Sequence, residues 1–302
     1  MVPRYLFVGL ILVLNFLSCY SSQSHLWQSA RQKLNIQYDY SYPTEPIRQQ
    51  LDVYYPKLES DHGVTSLKPV VLFIHGGAWQ FGSKEHGRRI ALSLVTQGFV
   101  VVSINYRLSS EQNQVKFPDH IRDVAKSFAW VYQNIGKFGG NANEIFVSGY
   151  SAGGHLAALL ALDPSHLHEV GLTPKNITGV ICISGVYEIS PTQPELNTPF
   201  STDEKACRKA SPLEYVSAVA PPFLVLYAEH ELWDLGDMAK KFANKLISFG
   251  IETKLVQVEN RDHLTIFQNV LRSRKDPANQ TILSFLQAHS QIHPVPKAAE
   301  IP

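Results

Sequence analysis

The run Phe146-Val147-Ser148-Gly149-Tyr150-Ser151-Ala152-Gly153-Gly154-His155-Leu156-Ala157-Ala158-Leu159-Leu160-Ala161-Leu162 changes character twice. It starts apolar and β-forming, ends in strong helix formers, and holds one serine among small residues between them. An ordinary strand-to-helix loop does not need Gly149 and Gly153 on either side of a serine. A serine lifted above a sheet edge on a strained turn does, because strand and helix then approach too closely for side chains beside it. The pattern therefore predicts a strand, a sharp turn and a helix, with Ser151 presented as a nucleophile and the helix N-terminus turned toward developing negative charge.

Outward from this turn, the chain alternates strand and helix signals, the mark of an α/β sheet. Strands are predicted over residues 35–40, 50–55, 70–75, 99–105, 144–148, 179–184, 222–227 and 253–258. Those from residue 70 onward are rich in Val, Ile, Leu and Phe without alternation, as in strands covered on both faces. After Pro118, Ile121, Val124, Phe128, Val131 and Ile135 recur at helical spacing until Gly139-Gly140. Met238, Phe242 and Leu246 repeat the pattern and stop at Gly250. Residues 187–214 break the alternation, and a loop of that length in a compact domain reads as a small cap-like insertion.

The chain has 302 residues and a net charge of +1, which points away from nucleic acid and from anionic membrane surfaces. Arg4 followed by an apolar run to Leu17 has the proportions of a signal peptide over residues 1–22, too short to span a bilayer. The expected location is accordingly outside the cell or in a secretory lumen, with an uncleaved N-terminal anchor as the alternative. The folded domain is expected over 34–290 and a tail over 291–302. Cys182 and Cys207 could pair in an oxidising compartment but read better as two free thiols, Cys182 falling in a strand-like run, and Asn176-Ile177-Thr178 and Asn279-Gln280-Thr281 are glycosylation sequons. No metal-ligand spacing or phosphate-binding glycine loop appears, so no cofactor is expected.

Acyl transfer from a serine also needs anion-stabilising donors, a base and an acid. The stretch His75-Gly76-Gly77-Ala78-Trp79 follows a buried strand and would expose the N–H groups of Gly77 and Ala78. The N–H of Ala152 would be the third donor. Trp79 suits either a substrate pocket or packing. His263 follows the last predicted strand and is the base candidate, whereas His155, within the elbow helix, suits packing or capping. Glu231 and Asp234 both follow the preceding strand and compete as the acid, Asp234 being also suited to cap the next helix.

From about Leu51 to Gln287 the pattern "HGGAWQFGSK … GFVVVSINYRLS … FPDHIRDVAKSFAWVYQNIGKFGGN … IFVSGYSAGGHLA" resembles α/β-hydrolases of the hormone-sensitive-lipase-like esterase branch. Within that branch it looks most like feruloyl/acetyl-xylan esterases, and it is similar to kynurenine formamidases and isoprenylcysteine methylesterases. The resemblance implies an α/β-hydrolase fold with a mostly parallel sheet and helices on both faces. It also implies a Ser–His–acid triad cleaving small or polysaccharide-linked carboxylic esters. Those families usually carry aspartate where this chain has Glu231, so the resemblance selects Glu231, longer by one methylene, with Asp234 as the alternative acid. An arylformamidase is the second enzyme expectation, and a methylesterase would need membrane access. A hydrolase fold kept as a binding module is the third, disfavoured because Ser151 and His263 are both present.

Overall fold

The computed structural model describes residues 34–41, 48–56, 66–193, 196–269 and 275–291. The signal segment expected over 1–22 lies outside the described residues, as does all but the first residue of the expected tail. Among the described residues eight strands form one sheet: β1 (Leu34–Ser41), β2 (Gln50–Pro56), β3 (Lys68–Ile74), β4 (Val100–Ile104), β5 (Gly140–Tyr150), β6 (Gly179–Ile183), β7 (Phe223–His230) and β8 (Thr253–Asp262). Their spatial order is β1-β2-β4-β3-β5-β6-β7-β8. β2 runs antiparallel to β1 and β4, and the pairs from β4 through β8 are all parallel.

The helices among the described residues are α1 (Arg88–Val95), α2 (Asp119–Asn134), α3 (Ala152–Leu162), α4 (Pro164–His168), α5 (Glu204–Lys209), α6 (Leu235–Ser248), α7 (His263–Asn269) and α8 (Pro277–Ala288). They divide between the two sheet faces. On one, Leu72, Ile74 and Val147 pack with Ile121, Val124 and Phe128 of α2, Leu156 of α3 and Phe242 of α6. On the other, Val71, Phe73 and Phe146 pack with Ile90 and Leu94 of α1 and Phe285 and Leu286 of α8. This two-sided burial is why β3 to β7 carry unbroken apolar runs, each fully buried side chain contributing about 1.5–3 kcal/mol. β8 departs from that expectation. It pairs with β7 on one edge only, and about half its residues reach solvent.

The insertion over 187–214 is packed rather than loose. It contains α5, and Leu196, Phe200, Cys207, Ala210 and Leu213 enter the core. Cys182 and Cys207 are each free and buried. The two sequons differ in setting: Asn176 is partly exposed in a short turn, whereas Asn279 is 1% exposed within α8.

The parallel strands decide where chemistry can sit. β3 runs into His75, β5 into Ser151, β6 into Ser184, β7 into Glu231 and β8 into His263. All five residues therefore lie at the carboxyl ends of adjacent strands, the side of an open α/β sheet where ligands bind.

Candidate active site

Ser151 joins β5 to α3 with φ 54 and ψ −118, a conformation that a non-glycine residue adopts only under constraint from its surroundings. The constraint can be traced. Ser151 N–H donates to Ile183 O at 2.8 Å, and Ser151 O accepts from His155 N–H at 3.1 Å. A Cβ at Gly149 would stand 2.1 Å from Gly153 O, and one at Gly153 would stand 2.1 Å from Ile74 O. Both flanking glycines are thus required by backbone-to-backbone contact, which is the physical content of the Gly-x-Ser-x-Gly pattern.

Ser151 Oγ lies 3.0 Å from His263 Nε2, and His263 Nδ1 lies 2.7 Å from Glu231 Oε2. The other carboxylate oxygen of Glu231 accepts the Ala228 N–H at 2.8 Å and the Ser184 hydroxyl. Its side chain is only 4% exposed. Burial pushes the carboxyl upward, but the His263 hydrogen bond and charge, the Ser184 hydroxyl and the Ala228 N–H outweigh it. Glu231 is held below its ordinary value and stays ionised. Asp234 is not in this line: it is exposed, and it sits at the N-cap of α6 without a side-chain capping bond. His263 opens helix α7 directly from β8 rather than standing in a loop.

The turn after β3 is pressed against the elbow. A Cβ at Gly76 would meet Tyr150 O at 2.7 Å and Ser151 Cβ at 3.2 Å. Gly77, Ala78 and Trp79 follow with φ of 116, 50 and 58, three successive left-handed residues. Among the described residues, no turn or loop hydrogen bond uses the N–H of Gly77, Ala78 or Ala152. Ala152 opens α3, so its N–H has no acceptor within the helix. Ala152 follows the serine directly, and Gly77 and Ala78 follow the Gly76 that presses on it, so these three N–H groups are the candidate donors to an anion.

Several residues that hold this arrangement were not singled out by motif. Tyr150 donates its hydroxyl to His263 O at 2.6 Å and stacks on Phe267 with ring centroids 4.4 Å apart. Arg48 donates to Gly82 O at 2.7 Å, and Lys84 pairs with Asp52 at 2.8 Å in the interior, anchoring the chain beyond the glycine turn. Ser184 reaches Glu231 from the next strand. Trp79 is 2% exposed, so it packs rather than lining an open pocket. Its indole N–H donates to His155 Nδ1 at 3.2 Å, its ring meets Phe200 at 4.7 Å, and His155 Nε2 donates to Ala210 O at 2.7 Å. Burial pushes His155 down to about 4, against the raising effect of the Ala210 carbonyl. It is neutral and structural. Spacing alone carried no signal for these partners, since each pair joins residues far apart in the chain.

Among the described residues no group of side chains could hold a metal ion, and no helix is long and apolar enough to cross a membrane. The geometry is that of a hydrogen-bonded serine–histidine–carboxylate line, an arrangement suited to acyl transfer.

Comparison with known proteins agrees with the fold. The chain is 34% identical to esterase LipC of Mycobacterium tuberculosis over 60% of its own length and 49% of that protein's. It is 30% identical to a kynurenine formamidase of Salmo salar over 74% and 73% of the two chains. Esterase B from Lactobacillus rhamnosis, solved with a tributyrin phosphonate inhibitor, superposes with a TM-score of 0.72 at 19% identity, covering 92% and 95% of the two chains. The chain spans about half the length of the mycobacterial esterases it matches. The BD-FAE family model matches residues 51–245, most of the sheet together with the elbow and the acid, and the chain, an α/β-hydrolase in fold, belongs to the BD-FAE family.

Proposed function

We propose that this protein is a serine hydrolase that cleaves carboxylic esters through an acyl-enzyme. The observation that carries the reading is the continuous line from Glu231 Oε2 through both nitrogens of His263 to Ser151 Oγ. In the first step His263 Nε2 takes the serine proton as Oγ attacks the ester carbonyl carbon, and the carbonyl oxygen becomes anionic. The N–H groups of Gly77, Ala78 and Ala152 receive that charge. The C–O bond to the alcohol then breaks, and the imidazolium returns its proton to the departing oxygen. Water, deprotonated by the same nitrogen, hydrolyses the acyl-serine. Glu231 accepts from Nδ1–H throughout, fixing the tautomer and stabilising the imidazolium. Neither step calls for a metal or organic cofactor.

The test is hydrolysis of p-nitrophenyl acetate, butyrate and octanoate beside the Ser151→Ala variant. Turnover in the wild type that disappears in the variant supports the reading. Failure of the wild type on all three esters, with no labelling by a fluorophosphonate, would sink it. The chain-length preference would define the acyl pocket, and acetylated or feruloylated polysaccharide is the extended substrate class to try next. The similarity to a kynurenine formamidase favours one second reading, cleavage of an aryl formamide by the same residues. N-formylkynurenine turnover exceeding that of every ester would replace the first reading with this one. Export directed by the segment over 1–22 belongs to the same proposal, and the N-terminal sequence of the protein recovered from expressing cells tests it.

A further inference from the structure

We infer that Ser184 is a positioning residue for the acid of the triad, holding the Glu231 carboxylate in the one orientation that serves His263. The inference rests on the triad reading above and extends it to a residue that no motif marks. A glutamate in this place has one more rotatable bond than an aspartate and more freedom to turn its carboxylate away. In the fold Oε2 meets His263 while Oε1 is fixed by two donors, the Ala228 N–H from its own strand and the Ser184 hydroxyl from the end of β6.

Ser184 is itself held at φ 50, with its N–H donating to Leu226 O at 2.8 Å, and it is 1% exposed. Glycine is the residue that adopts this conformation without strain. A serine persisting there puts a hydroxyl where glycine would put nothing, and the hydroxyl points at the carboxylate. The strained backbone and the hydrogen bond to Glu231 are separate observations that agree on the same role.

That combination gives a test in which structure and positioning predict opposite outcomes. The proteins are wild type, Ser184→Ala, Ser184→Gly, Glu231→Gln and the double variant Ser184→Ala/Glu231→Gln. The readouts are kcat and KM for p-nitrophenyl acetate and the melting temperature. Loss of a hydrogen bond to a charged group predicts that Ser184→Ala and Ser184→Gly each lower kcat by about 10- to 100-fold with KM little changed. Ser184→Gly, relieved of the positive φ, should melt no lower than wild type while losing that activity. In the Glu231→Gln background, Ser184→Ala should change kcat by less than about twofold, because its effect passes through the carboxylate. Wild-type kcat in either single variant, or losses that multiply in the double variant, would overturn the positioning role. Wild-type activity in Glu231→Gln would remove the triad acid and this inference together, whereas a crippled Glu231→Gln beside an active Ser184→Ala removes the inference alone.

Discussion

Glu231 and Asp234 are three positions apart, and their surroundings assign them different work. Glu231 is enclosed with donors on both oxygens and its Nδ1 partner at 2.7 Å, while Asp234 stands in solvent at a helix start. Glu231→Gln should therefore lower kcat on the order of 10^4-fold, the scale for a triad acid that can no longer hold the histidine tautomer, and Asp234→Asn should leave it within about twofold. Glu231→Asp should be impaired as well, because shortening by one C–C bond, about 1.5 Å, withdraws the carboxylate from His263. Steady-state kinetics on one p-nitrophenyl ester checks all three, and a crippled Asp234→Asn would contradict the assignment. The serine and histidine were legible from chain order and the glycine pattern. Choosing between the two acids needed the resemblance, because both follow the same strand and only side-chain enclosure separates them. Tyr150 and Ser184 were not legible as partners: their hydrogen bonds join residues far apart in the chain, and nothing local marks them.

At the scale of elements, the elbow and the glycine turn are one construction, with β3, β5 and α3 in backbone contact. Gly153→Ala would drive a methyl to 2.1 Å from Ile74 O, with no flexible side chain to yield. A loss of about 3 kcal/mol or more is expected, seen as a lower denaturant midpoint. Gly171→Ala, with φ 76 but open space around it, should cost only about 1 kcal/mol through backbone strain. Equal losses in the two variants would mean that close approach is not what the elbow glycine provides. Phe200 gives the insertion its hold on this construction, packing against Trp79, His155 and Phe117. Phe200→Ala should destabilise by about 3–5 kcal/mol and lower kcat by loosening Trp79 and the Gly77–Ala78 donors. A variant as stable and active as wild type would show that the insertion does not support the turn. Strands β3 to β7 were legible because two-sided burial writes itself into composition. Residues 187–214 were not, since their core contacts come from single residues spaced without period, and β8, with Lys254, Gln257 and a polar run from Glu259, is half exposed because it is an edge strand.

For the molecule as a whole, three histidines buried in the folded state bear on stability. Burial pushes His75 and His120 down to about 3 and His155 to about 4. Their folded values lie below the ordinary 6.5, so the unfolded chain binds more protons as pH falls through that value. The stability they contribute is full above about pH 6.5 and is lost progressively as pH drops toward the folded values. Each histidine adds a slope of up to about 1.4 kcal/mol per pH unit. Melting temperature should be level above neutrality and fall steeply between pH 6.5 and 4.5, and a flat profile there would contradict their neutral burial. Glu231, also held below its ordinary 4.5, adds a separate loss only at lower pH.

The proposed chemistry stands or falls on Ser151, and the most direct measurement is the rate of covalent labelling by a fluorophosphonate in wild type and in Ser151→Ala, with the modified peptide located by mass spectrometry. Rapid labelling of the wild type at Ser151, absent from the variant, is the expected result. A wild type that does not label, or a variant that labels as fast, would mean that the serine on the elbow is not an activated nucleophile.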